Sequence, residues 1–149
     1  MRVLIATGLF PPEGGGPATY SKTLLDELPS RGIATSVLPY REVRSVPKIL
    51  RHSAYFFRLL SRTFRFKPDI IFAQDPLSVG LPAALAAFIT RKKFVVKIVG
   101  DYAWEQATQR FGYGGTIESF QDAQLPFVPN LMRGIERFVA RRALKVIVP

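Results

Sequence analysis

Val3-Leu4-Ile5-Ala6-Thr7 runs directly into Gly8-Leu9-Phe10-Pro11-Pro12-Glu13-Gly14-Gly15-Gly16-Pro17 at the start of the chain. The apolar run contains no turn residue and reads as a strand buried on both faces. Three consecutive glycines then precede a helix that begins at Pro17, whose missing N–H has no intrahelical partner to lose at the first helical position. Glycines in front of exposed helix N–H groups let a ligand approach the backbone, and the helix dipole favours an anion. The stretch reads as a strand–loop–helix seat for a phosphorylated or acidic ligand, with Gly14, Gly15 and Gly16 as binding residues. A plain tight connection between strand and helix is the alternative.

The same glycines exclude other seats. No G-x-x-x-x-G-K-[ST] occurs, which argues against a Walker-type NTPase. G-x-G-x-x-G is also missing, and the second strand, residues 33–38, runs into Pro39-Tyr40-Arg41 without an acidic residue for a ribose 2′-hydroxyl. Classical dinucleotide binding is disfavoured.

Working outward, helical spacing of Ala18, Ser21, Leu24, Leu25 and Leu28 follows the glycine loop, and Pro29 and Gly32 end that helix. A long helix is expected over 47–65, a third strand over 69–73, and a helix over 76–90 whose alanines 83, 84, 86 and 87 allow close packing. A fourth strand covers 94–99. A loop-rich region is expected to residue 128, then a helix over 130–143 with Asn130 as N-cap, and a fifth strand from Lys145. Strands alternating with helices predict an α/β fold, a Rossmann-like parallel sheet covered on both faces with right-handed crossovers.

With 149 residues, the chain fits one domain, 1–149, with a real core. It has no cysteine and a single histidine, His52, which removes disulfides, thiolate nucleophiles and Cys/His zinc sites. A carboxylate-held metal is the one kind left open, but no D-x-D pair supports it and no metal is expected. The first strand begins at once, leaving no room for a signal peptide, and no apolar run approaches the ~20 residues that span a bilayer. A cytoplasmic location is the expectation. Because the chain stops as its last strand begins, it is expected to be the first half of something longer.

Net charge is +10, and the stretch from Arg41 to Lys67 holds eight Lys/Arg against the single Glu42. Such a patch implies an anionic partner. Along it, Val46, Ile49, Leu50, Ser53, Phe57, Leu60 and Phe64 fall on one helical face. Lys48, Arg51, His52, Tyr55, Arg58, Arg62 and Arg65 fall on another, with Phe56, Leu59 and Phe66 at the margins. The first face is the one expected to pack on a sheet. Aromatic residues beside arginines suit the headgroup boundary of an anionic membrane, at its inner face as a peripheral attachment. His52 reads as one more polar residue of this helix.

Ligands of open α/β sheets bind beyond the carboxyl ends of the strands. Three ends carry candidates: Gly8 to Gly16 after the first, Gln74, Asp75 and Pro76 after the third, and Gly100, Asp101, Tyr102, Trp104 and Glu105 after the fourth. If these strands are neighbours, an anion seat, two carboxylates and an aromatic wall converge on one crevice. Asp75 and Asp101 have helix capping as their alternative, and Trp104 has packing. Phe111-Gly112-Tyr113-Gly114-Gly115-Thr116 reads as a mobile loop able to close over a substrate, or as a disordered crossover.

Together, Thr7 to Tyr20, Lys67-Pro68-Asp69-Ile70-Ile71-Phe72-Ala73-Gln74-Asp75-Pro76 and Val99-Gly100-Asp101-Tyr102-Ala103-Trp104-Glu105 resemble the amino-terminal domain of GT-B-fold glycosyltransferases. The resemblance is to the retaining family-four group related to glycogen synthase, and it covers essentially the whole chain. It implies a two-domain enzyme whose amino-terminal half receives the acceptor while the absent carboxyl-terminal domain holds most of the nucleotide-sugar. It implies transfer of a hexose from a nucleotide diphosphate sugar, a substrate and not a cofactor, to a glycan or lipid-linked acceptor, as in polysaccharide biosynthesis. It places Gly14, Gly15 and Gly16 near the donor pyrophosphate or acceptor, and Gly100-Asp101 beside the reacting sugar. Many members carry a histidine there and this chain has none, so Asp101 is the expected substitute, orienting a hydroxyl or taking the acceptor proton. Gln74, Asp75, Tyr102 and Glu105 complete the expected binding set. A non-catalytic basic module that binds membrane or nucleic acid is the alternative; nucleic acid is not an expected partner of the enzyme.

Overall fold

The structure, a computed structural model, describes residues 1–148. Five strands, β1 (Arg2–Thr7), β2 (Ala34–Pro39), β3 (Ile70–Ala73), β4 (Lys93–Lys97) and β5 (Lys145–Ile147), form one sheet in the order β2-β1-β3-β4-β5. Every pairing is parallel, with Leu4 opposite Ile71 and Ile71 opposite Phe94. The α/β, Rossmann-like reading of the sequence holds. Successive side chains of β1 point to opposite faces, so Leu4 and Ala6 enter one core while Val3 and Ile5 enter the other.

The larger core lies under α2 (Arg51–Phe66), α3 (Leu81–Thr90) and α6 (Phe127–Arg142). Alanines 83, 84, 86 and 87 are all buried and bring α3 close to the sheet, as their spacing predicts. The opposite face is covered by α1 (Gly16–Glu27), whose Tyr20 and Leu24 pack on Val3, Ile5 and Phe72.

Four expectations need correction. The loop-rich region to residue 128 instead folds into α4 (Tyr102–Phe111) and α5 (Ile117–Asp122), capped by Asp101 and Thr116 through their side chains. The Phe111–Thr116 segment begins as the end of α4 and continues as a pinned turn: Tyr113 N–H donates to the Ala107 carbonyl, and the Trp104 indole N–H to that of Gly115. Asn130 lies inside α6, which begins three residues earlier at Phe127. The face of α2 is also rotated. Tyr55, Leu59 and Thr63 are buried, whereas Leu50, Phe57 and Phe64 of the expected packing face point outward. Tyr55 occupies the core because its hydroxyl finds a partner there, donating to the Leu38 carbonyl at 2.7 Å.

Among the described residues, no helix is long and apolar enough to cross a membrane.

Candidate functional site

Strand order reverses at β1, which has β2 on one side and β3 on the other. The carboxyl ends of β1 and β3 therefore flank the place where an open α/β sheet leaves a crevice between diverging connections. A cavity of about 530 Å³ opens there, lined by Gly8, Leu9 and Pro17 after β1, by Gln74 to Pro76 and Ser78 after β3, and by Val99, Gly100, Tyr102 and Glu105 after β4. Its size suits a small-molecule ligand.

The loop after β1 is held at its root. Ser21 donates to the Thr7 hydroxyl at 3.1 Å, and Thr7 donates to the Leu9 carbonyl at 2.7 Å. Arg41 reaches across from beyond β2 to the carbonyls of Phe10 and Pro11, and Arg44 pairs with Glu13. Gly15 precedes α1 with φ +123°, a conformation that favours glycine, and no side chain caps the helix. Gly14, Gly15 and Gly16 are exposed and lie outside the crevice lining, which includes Pro17.

After β3 the chain makes a π-helical turn, Pro76–Gly80, before α3. Asp75 caps it: one carboxylate oxygen accepts from the N–H groups of Ser78 and Val79. Withdrawal from water raises the Asp75 pKa, against the lowering effect of these N–H groups. Gly80 is required by close approach, since a Cβ there would lie 2.4 Å from the Asp75 carbonyl oxygen. Capping and crevice lining are thus both true of Asp75.

Gln74 is the distinctive group. It is 4% exposed, lines the crevice, and its side-chain N–H₂ has no hydrogen-bond partner among the described residues. A buried donor without an acceptor is costly, about 1–3 kcal/mol, and so calls for an explanation.

Asp101 caps the helix that follows it, the alternative its position after Gly100 left open. One oxygen accepts from Trp104 N–H at 2.8 Å and the other from the Gln121 amide at 2.7 Å, so its carboxylate starts α4. It lines a separate cavity of about 220 Å³ with Gln121, Arg133 and Glu136, not the main crevice. Trp104 packs with Ala103, Ala107 and Phe120, so the aromatic wall is not made by Trp104. That wall is formed instead by Tyr40 and His52, ring centroids 5.5 Å apart, together with Tyr102. His52 and Tyr40 are the residues sequence reasoning missed. Tyr40 follows directly on β2, the position where strand ends supply site residues; His52 became visible only with the true rotation of α2.

Gln74, Asp75, Gly100, Tyr102 and Glu105 are brought together as expected; Gly14, Gly15, Gly16 and Asp101 are close in sequence to lining residues but are not part of the lining. No group of three or more His, Asp or Glu suited to a metal occurs among the described residues.

The fold superposes on the UDP-GlcNAc 2-epimerase of Methanocaldococcus jannaschii with a TM-score of 0.61 and 14% identity, covering 100% of this chain and 39% of that one. A Listeria monocytogenes protein provisionally assigned as a UDP-N-acetylglucosamine 2-epimerase gives 0.63, 14% identity and 99% and 39% coverage. The chain thus spans about two fifths of the length of these GT-B-fold structures, and at this identity the likeness is one of fold. No curated protein sequence is matched at a significant level. Residues 2–149 match the glycosyl transferase 4-like domain, and the chain belongs to that family.

Proposed function

We propose that this chain is the acceptor-side half of a glycosyltransferase that moves a hexose from a nucleotide diphosphate sugar to a glycan or lipid-linked acceptor. The observation that carries the reading is the buried, unpartnered amide of Gln74, a residue that lines the crevice at the β1/β3 switch point. Such a donor suits a sugar hydroxyl or carbonyl oxygen. Family membership supports glycosyl transfer, and the names of the two solved neighbours support a nucleotide-sugar ligand.

In the proposed reaction the bond from the anomeric carbon to the diphosphate breaks, a bond to the acceptor oxygen forms, and the acceptor proton passes to a base. Glu105 and Asp75 are the carboxylates that face the crevice, and His52 and Tyr40 offer rings against a sugar face. Free N–H groups at the start of α1, reached past Gly14, Gly15 and Gly16, would receive a diphosphate or an acidic acceptor. Asp101 acts in this reading as a positioning residue that sets Tyr102 and Glu105. Segment 41–67 would face an anionic membrane at the cytoplasmic side, where a lipid-linked acceptor resides.

The test is sugar transfer by the natural polypeptide that carries this chain, supplied with nucleotide diphosphate sugars. Glu105→Gln and Gln74→Leu should lower transfer at least tenfold relative to the parent. Parent-like rates in both variants remove the crevice from the reaction.

A further inference from the structure

The chain carries a net charge of +10, yet its crevice is acidic. Of the Asp, Glu, Lys and Arg residues described, only Asp75 and Glu105 are among the lining. The basic side chains that follow β2 or close β4 are engaged elsewhere. Arg41 donates to the carbonyls of Phe10 and Pro11, Arg44 pairs with Glu13, and Arg51 donates to the carbonyls of Val46 and Arg44. Lys97, the last residue of β4, holds its ammonium 3.5 Å from the ring centroid of Tyr20, which packs on the smaller core.

Two glycines leave room beside the carboxylates. A Cβ at Gly8 would lie 3.3 Å from Asp75 Oδ2, and one at Gly100 would lie 3.0 Å from Glu105 Oε1. The Asp75 oxygen beside Gly8 is the one left over from capping, since Oδ1 takes the N–H groups of Ser78 and Val79. Both carboxylates thus keep an oxygen beside a glycine of the lining, able to accept from a ligand. Gln74 has the opposite need, a buried N–H₂ that lacks an acceptor. A hydroxyl donates and accepts, so it meets both kinds of group. An ammonium would meet the carboxylates and leave Gln74 unmet. A phosphate or carboxylate would meet Gln74 but stand against two negative groups, a repulsion that strengthens away from water. Burial already raises the Asp75 pKa, and a ligand anion beside it would raise it further.

We propose that the crevice seats an uncharged, hydroxyl-rich sugar ring of the acceptor and turns away a ring that carries a phosphate or a carboxylate, with Asp75 and Glu105 as the residues that set the selection. The proposal rests on the reading of the crevice as the acceptor site and narrows it to the charge of the ring seated there. Negative charge elsewhere on either substrate, the diphosphate included, stays outside this lining.

The experiment is ligand-detected NMR titration of the natural polypeptide that carries this chain. The probes are the methyl glycosides of glucose, galactose and mannose, each against the methyl glycoside of its own uronic acid. Each pair differs only in a hydroxymethyl group against a carboxylate. At least one uncharged probe should bind about tenfold or more tightly than its acidic partner. Glu105→Gln and Asp75→Asn should each narrow that ratio by about threefold or more, by admitting the acidic probe. Asparagine still caps the turn after β3, and Glu105→Gln leaves that turn untouched. A merely structural role would weaken both members of a pair together and leave the ratio as it was. Acidic probes that bind as well as uncharged ones, no binding by any probe, tighter binding of methyl glucosaminide than of methyl glucoside, or a ratio unmoved in both variants would overturn the selection. The expected preference without sugar transfer to the preferred ring would count against the transfer reading alone.

Discussion

Glu136 on α6 accepts the backbone N–H of Tyr102 at 3.1 Å, so the first residue of α4 is bolted to α6 by a carboxyl group. Burial, followed by the charge of neighbouring Asp101, pushes the Glu136 pKa up to about 8. At neutral pH this group keeps its proton and can share it with the Asp101 carboxylate. Two carboxyls therefore fix the start of the helix that carries the crevice residues Tyr102 and Glu105.

The pH dependence of stability follows from that pKa. The unfolded chain releases the Glu136 proton near the ordinary value of 4.5, while the folded chain holds it to about 8. Between those values the folded state binds more protons, so this group makes stability fall as pH rises through the window, with no further loss above it. Glu136→Gln keeps an acceptor for Tyr102 N–H and cannot ionise. Urea midpoints at pH 5 and pH 8 should converge in the variant relative to the parent. An unchanged difference would place the titration elsewhere.

Asp101→Asn separates positioning from proton transfer. Asparagine caps helices as well as aspartate does, whereas alanine at such a site costs about 0.5–2 kcal/mol. With its oxygens committed to Trp104 N–H and Gln121, Asp101 is expected to tolerate Asn with little loss of transfer, while Ala lowers both thermal midpoint and turnover. A large fall in kcat for Asn at parental stability would return Asp101 to the role of base.

Much of this arrangement could be read from the chain. β1, β3 and β4 are short apolar runs bounded by Gly, Pro or Lys, and a buried parallel strand has few other appearances. The residues directly after those strands, Gly8, Gln74, Asp75, Gly100, Tyr102 and Glu105, followed from topology alone. What stayed hidden has physical causes. α2 carries aromatic residues on all sides, so periodicity could not choose between a face containing Phe57 and Phe64 and one containing Tyr55 and Leu59. The choice was made by the Leu38 carbonyl, which satisfies the Tyr55 hydroxyl. That rotation carries His52 to the crevice. α4 and α5 are short and rely on the caps Asp101 and Thr116, signals outweighed in the sequence by the glycines between them.

Gly80→Ala probes the turn that presents Asp75. The new methyl would meet the Asp75 carbonyl oxygen at 2.4 Å, with the Val139 side chain 3.3 Å away on another side. Backbone must move, and overpacking of this kind costs about 1–3 kcal/mol. The denaturation midpoint should fall, and ligand binding in the crevice should weaken beyond what lost stability explains. An alanine variant with parental stability would show that the π-helical turn relaxes without strain.

Gln74→Leu sets stability against function. If the buried amide is kept for a ligand, its removal takes away an unmet donor in the unliganded protein, and the thermal midpoint should stay level or rise. The same variant should raise the KM for the acceptor, because the oxygen that Gln74 would meet loses its partner. Gln74→Glu sharpens the contrast: it is close in shape, offers no N–H₂ when ionised, and adds a charge beside Asp75. It should bind substrate less well than Leu and lose stability as pH rises through its own titration. A structural role predicts the reverse for Leu, a lower midpoint with an unchanged KM. Thermal melts alongside initial rates at varied acceptor concentration distinguish the two.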